Sequence, residues 1–149
     1  MKKLVTVLAV AAMLFSSFAF ATGSDNVNPR VKAAFSNDFS AASNVSWEKL
    51  SDFYFAKFIL NNLELNAAYN EEGELVGTSR SMGSSLLPVS ISMAIAKKYE
   101  GYTVSEKALE LTYQDETHYY LTVSNDRQAL KLKCSINGTL EVVRKLKKN

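Results

Sequence analysis

The chain has 149 residues, 47% of them hydrophobic and 21% charged, a size for one ordinary domain and a composition that excludes a disordered chain. Its formal charge is +2, from 17 basic and 15 acidic residues. Setting aside residues 1–21, which carry Lys2 and Lys3, leaves 15 of each sign, without the net basic footprint that phosphate-backbone binding needs.

Met1 to Ala21 reads as a secretory signal. Lys2 and Lys3 form the positive start, Leu4 to Phe20 is apolar apart from Thr6, Ser16 and Ser17, and Ala19-Phe20-Ala21 presents small residues at the two positions signal peptidase reads. Cleavage is expected between Ala21 and Thr22. The apolar run is short for a membrane span. The expected location is therefore the periplasm, with no membrane insertion after cleavage. Residues 22–28 are polar and aperiodic, a flexible leader.

The first helix is predicted from Asn28 to about Ser40. Asn28 can cap it, Pro29 suits a first position that needs no N–H, and Val31, Ala34, Phe35 and Phe39 form one stripe. Strand-like runs follow at Asn44–Trp47 and Phe53–Leu60, the latter apolar on both faces. After the Asn61-Asn62 turn, Leu63, Leu65, Ala67 and Tyr69 alternate with Asn62, Glu64, Asn66 and Ala68. Asn70-Glu71-Glu72-Gly73 turns the chain into a strand from Leu75 to about Ser81.

Pro88 opens a second helix with Ile91, Ala94, Ile95 and Tyr99 on its stripe and Gly101 just past its end. Strands are predicted at Tyr102–Val104, Lys107–Tyr113 and Thr117–Val123. Two more follow, one with Leu130, Leu132, Cys134 and Ile136 inward and one with Leu140, Val142, Arg144 and Leu146 in phase. Asn137-Gly138 joins these two as a two-residue hairpin turn. Pro29 to Pro88 spans 59 residues, Phe39 to Tyr99 spans 60 and Gly73 to Gly138 spans 65, a drift small enough for one supersecondary unit used twice. The fold class expected is α+β: two tandem helix-plus-antiparallel-meander repeats, about 29–82 and 88–147. Together they would form one continuous curved antiparallel sheet over residues 29–147, with both helices on one face and the other face open.

Few residues offer chemistry. Cys134 is the only cysteine, so no internal disulfide can form, and its phase marks a buried, inert thiol rather than a nucleophile or an intermolecular bridge. His118 is the only histidine and lacks the further nitrogen or sulfur ligands of a zinc site. The carboxylates Glu71, Glu72, Glu74, Asp115 and Glu116 fall in predicted turns without a calcium-loop pattern. No glycine-rich phosphate loop and no G-x-S-x-G is present, so no cofactor, metal or catalytic residue is expected. The remaining signal is a sheet face on which His118, Tyr120, Lys131 and Lys133, together with Lys145 and Lys147, oppose the inward set. Such a surface can bind an anionic or aromatic partner, although lysines also decorate solvated faces and discourage aggregation. Trp47, the only tryptophan, reads as core or rim.

Several stretches, in this order and spacing, resemble the PepSY-like, beta-lactamase-inhibitor-like periplasmic proteins of Gram-negative bacteria. They are the export signal, Val31-Lys32-Ala33-Ala34-Phe35 to Phe39, Val45-Ser46-Trp47, the hairpin Ala67 to Leu75, Leu87-Pro88 and Tyr99-Glu100-Gly101-Tyr102. Glu100 stands where that family usually has Pro. The resemblance covers roughly 29–147 and implies tandem α+β repeats on a curved sheet, no enzyme activity and no known ligand. Two functions are then expected: an exported, non-enzymatic binding or inhibitory module using its open sheet face, or an envelope sensor that modulates a signalling protein or protease. A small hydrolase built on His118 is a distant third.

Overall fold

The computed structural model describes residues 26–147; the signal segment, the Ala21–Thr22 cleavage point and most of the leader lie outside the described residues. Within them are two helices, α1 (Pro29–Asp38) and α2 (Val89–Lys98), and a short 3-10 turn (Ser84–Leu86). Nine strands complete the set: β1 (Ser43–Leu50), β2 (Phe53–Leu60), β3 (Leu63–Asn70), β4 (Leu75–Gly83), β5 (Thr103–Val104), β6 (Lys107–Tyr113), β7 (Glu116–Ser124), β8 (Ala129–Ser135) and β9 (Leu140–Leu146). The chain divides into two compact units, residues 26–80 with 112–114, and residues 81–111 with 115–147.

In the first unit α1 covers one face of the antiparallel run β1-β2-β3-β4. Asn28 is the N-cap: its Oδ1 accepts from the Arg30 N–H at 2.9 Å, and Pro29 follows with no N–H to leave unsatisfied. Val31 and Phe35 are the buried residues of the helix, one turn apart on the face turned to the strands. Beneath them lie Trp47, Tyr54, Ala56, Phe58, Ala67 and Tyr69, with Val27 joining from before the helix. The core is aromatic: Phe35 sits edge-on to Trp47, Phe58 and Tyr69 at 5.1, 5.0 and 6.4 Å between ring centroids. Ala56 and Ala67 are direct cross-strand partners, and their small side chains leave room for those rings. The Tyr69 hydroxyl donates to Asp38 Oδ2 at 2.7 Å, and burial followed by this carboxylate pushes its ionisation well above the usual tyrosine range.

In the second unit α2 covers β7, β8 and β9 in the same way with an aliphatic core. Ile91 and Ile95 are its buried residues, packed with Leu87, Ala108, Tyr119, Leu121, Val123, Leu130, Leu132 and Cys134. Each fully buried Leu, Ile or Val contributes about 1.5–3 kcal/mol relative to exposure. Pro88 is the N-cap of α2, whereas Pro29 is the first residue of α1, so the two prolines do not hold the same place.

Each unit fastens the start of its helix to the hairpin that closes the meander. In the first, Asn28 Nδ2 donates to the Glu71 carbonyl at 2.9 Å. In the second, Ser90 Oγ donates to the Ile136 carbonyl at 2.5 Å. Both hairpins have the same form. The Gly73 N–H returns to the Asn70 carbonyl and the Asn70 N–H donates to the Glu74 carbonyl. Gly138 and Ser135 repeat the pattern with Ser135 and Thr139. Only the glycine of each turn has a positive φ, +84° at Gly73 and +88° at Gly138. Asn137-Gly138 is therefore not a two-residue turn, which would need positive φ at both residues; the turn runs Ser135 to Gly138 with the glycine as the bulge. Ile136 belongs to that turn and is 64% exposed rather than inward. True two-residue turns occur at Asn61-Asn62 and Gln114-Asp115, where both residues are left-handed.

The two turn glycines also lie against helix backbone. A Cβ at Gly73 would sit 3.1 Å from the Arg30 carbonyl oxygen, and one at Gly138 would sit 2.9 Å from that of Ser90; Gly101, with φ +79°, has open space instead. Substituting Ala isolates the two effects. Gly101→Ala is expected to cost about 1 kcal/mol for the left-handed backbone alone. Gly73→Ala should cost more, and Gly138→Ala most, about 2–3 kcal/mol, because backbone must move as well. Chemical denaturation of the three variants tests this order. Tyr69→Phe, which removes a partly buried bond to a carboxylate, is expected to cost about 1–2 kcal/mol by the same measurement, with Asp38→Asn costing less because an acceptor oxygen remains.

Candidate functional site

Directly opposed residues of antiparallel strands share a face, so the register places every side chain of the second unit. Tyr119, Leu121 and Val123 face α2 opposite Cys134, Leu132 and Leu130. The other face carries His118 opposite Ser135, Tyr120 opposite Lys133, and Thr122 opposite Lys131. The four residues singled out from the sequence thus lie together on the helix-free face of β7 and β8. All four are half-buried.

The next strand departs from the sequence reading. Lys133 is opposite Glu141, but the register shifts between Lys131 and Leu132, and beyond the shift Lys131 faces Arg144 while Leu130 faces Lys145. A bulge adds one residue, and with a two-residue period that residue swaps the faces of everything beyond it. Arg144 therefore joins the helix-free face, and Lys145 does not. The face presents Lys131 and Arg144 as direct cross-strand neighbours, two cationic side chains of like sign. Beside it runs the row Tyr120, Lys133 and Glu141.

These neighbours set the protonation of the face. Burial first, then the Lys133 ammonium, lowers the His118 pKa from the ordinary 6.5, with Glu116 and Glu141 pulling the other way. Burial and then Glu141 raise that of Tyr120. At neutral pH the face offers a neutral imidazole, a phenol and three cationic side chains, Lys131, Lys133 and Arg144. It also carries the Ser135 hydroxyl directly across from His118. Cys134 is fully buried on the α2 side, and desolvation pushes its thiol up to about 11, so it is an inert core residue. Among the described residues no group of three or more His, Cys, Asp or Glu side chains is arranged to hold a metal ion.

The helix-free face is not open throughout. In the first unit Phe55 is 2% exposed, and its partner Ala68 is fully buried, although neither belongs to the cluster under α1. Leu111 of β6 is likewise buried outside the α2 cluster. The apolar character of both faces of Phe53–Leu60 in the sequence already fits a strand covered twice. Glu48, opposite Phe55, was missed by sequence reasoning: its Oε2 is shut off from solvent and accepts no hydrogen bond. Nothing in the local pattern of β1 distinguishes it from a solvated glutamate.

No sequence family matches the chain, and no curated protein matches it by sequence. Solved structures do match. A BLIP-like protein from Bacteroides fragilis NCTC 9343 aligns with a TM-score of 0.67 at 19% identity, over 80% of this chain and 86% of that one. The fold is BLIP-like. A DUF2874 family protein from Bacteroides ovatus ATCC 8483 gives a TM-score of 0.69 at 19% identity, over 83% and 89% of the two chains. A periplasmic-protein candidate from Bacteroides eggerthii DSM 20697 gives 0.66 at 15% identity, over 79% and 86%. At these identities the likeness concerns the fold, and the BLIP-like fold by itself assigns no ligand. No helix among the described residues is long and apolar enough to cross a membrane.

The lowered His118 pKa gives a direct test of the site's electrostatics. A depressed folded value means that the stability His118 contributes is present above 6.5 and is lost as pH falls through its folded midpoint. In an NMR titration the His118 midpoint is expected below 6.5; Lys133→Gln should raise it, and Glu141→Gln should lower it further.

Proposed function

We propose that the protein is an exported, non-enzymatic binding or inhibitory module of the bacterial envelope that holds a partner on the helix-free face of its second unit. The observation that carries this reading is the juxtaposition of Lys131 with Arg144 beside Tyr120, Lys133 and His118 on one half-buried face. Two cations held side by side by strand register suit a carboxylate or other anion, and Tyr120 supplies an aromatic surface next to them. The BLIP-like fold and the periplasmic-protein candidate among its structural relatives support the same reading. So does the signal-like start of the sequence.

We also infer that the two units are copies of one helix-on-meander repeat in an α+β arrangement, with kinship to PepSY-like proteins. The paired bonds from Asn28 to Glu71 and from Ser90 to Ile136, and the glycines seated under each helix, favour this.

Affinity capture from periplasmic extract with the mature protein tests the function. The partner is expected to be lost from the double variant Tyr120→Ala with Lys131→Glu, and weakened by Arg144→Glu alone. Retention of every partner by both variants would remove this face as the site.

A further inference from the structure

Of the exposed large apolar side chains of the second unit, the four most exposed are Leu86 at 70%, Val89 at 73%, Met93 at 67% and Ile136 at 64%, with Val142 and Val143 of β9 less so. The four are neighbours. Val89, Met93 and Lys97 follow one another at intervals of four on α2, a stripe turned away from the buried Ile91 and Ile95. Leu86 ends the 3-10 turn just before the helix. Ile136 lies in the hairpin fastened to the helix start by Ser90.

The framework does not require these residues. In the first unit, where Val31 and Phe35 take the places of Ile91 and Ile95 and the Glu71 carbonyl that of Ile136, the corresponding outward positions are Pro29, Ala33 and Glu71. The same scaffold is thus built once with a small and acidic outer face and once with a bulky apolar one. A grouped exposed apolar patch marks a contact surface.

Charge distinguishes the units in the same direction. Residues 26–80 with 112–114 carry five basic and seven acidic residues; residues 81–111 with 115–147 carry nine basic and seven acidic. The α2 helix contains no acidic residue, and Lys97 and Lys98 close its last turn. A bulky apolar stripe ending in Lys97, on the more basic of the two units, is the pattern of a helix that lies in the headgroup region of an anionic bilayer; Lys98 lies off the stripe, its ammonium donating to the Leu140 carbonyl at 3.5 Å. Four side chains fall well short of the roughly 800 Å² per partner of a stable protein interface.

We propose that the outer face of α2, with Leu86 and Ile136, docks the protein on an anionic lipid surface, Leu86, Val89 and Met93 entering the headgroup layer and Lys97 meeting lipid phosphates. The docking face lies on the helix side of the second unit. The partner face proposed above lies on the other side of that unit's strands, so the two can be tested separately.

The mature protein is sedimented with vesicles of mixed phosphatidylglycerol and phosphatidylcholine, and with vesicles of phosphatidylcholine alone. Binding is expected to the anionic vesicles only and to weaken as salt rises. Met93→Glu and Val89→Glu should each weaken it by at least about tenfold, and Lys97→Glu should also weaken it. Tyr120→Ala, which keeps the charge of the unit, should leave it unchanged, which separates this surface from the partner face. Circular dichroism melts confirm that the exposed substitutions leave the fold intact. Absence of binding to anionic vesicles, equal binding to neutral ones, or binding that survives Met93→Glu would each overturn the proposal. So would a dimer in sedimentation velocity that Met93→Glu dissolves, which would assign the patch to a second copy of the chain.

Discussion

Among the described residues, α1 and α2 each lie close against a hairpin at a glycine, where the absence of a side chain makes room for helix backbone. Gly73 and Gly138 bring turn backbone close to the carbonyls of Arg30 and Ser90, where a Cβ would be crowded at Gly73 and would force a shift at Gly138, and both also take a backbone conformation that disfavours a side chain. The approach lets Asn28 and Ser90 reach the Glu71 and Ile136 carbonyls, so helix start and hairpin are joined by a hydrogen bond as well as by packing. With the helix fixed at that end, its two buried residues pack onto the strands. The core beneath is then free to be aromatic around Phe35 or aliphatic around Ile95.

The far side of the second unit follows from the same geometry. Once Tyr119, Leu121, Val123, Leu130, Leu132 and Cys134 are committed to the helix, His118, Tyr120, Lys131 and Lys133 are committed to the opposite face. The bulge in β9 then brings Arg144 next to Lys131. The cationic pair thus arises from register, and it creates a local field for an anion in a chain whose charges otherwise balance.

Much of this was legible from residues alone. Helical spacing at Val31–Phe35 and Ile91–Ile95, the Asn28 cap and alternation along Thr117–Val123 all express local preferences that agree with the packing. The readings that went astray share a cause. A bulge has no signature in an alternating stretch such as Leu140–Leu146, so the phase of Lys145 and Arg144 was assigned as though the strand were regular. Asn-Gly is a strong turn signal, but it does not reveal how many residues the turn spans, and Ile136 was therefore placed inside. The burial of Phe55, Ala68 and Leu111 and the stranded oxygen of Glu48 depend on what lies across from them in space, which no window of neighbouring residues contains. The candidate site was readable as an alternation; its like-charge pair was not.

The fully enclosed sulfur of Cys134 supplies the molecule with an internal clock. A thiol with no solvent contact and a suppressed thiolate reacts with an alkylating reagent only when the core of the second unit opens. Because the chain has one cysteine, each modification event reports the opening of that one core. Labelling speed then follows the population of opened molecules when reclosing is fast, and the opening rate itself when reagent is abundant.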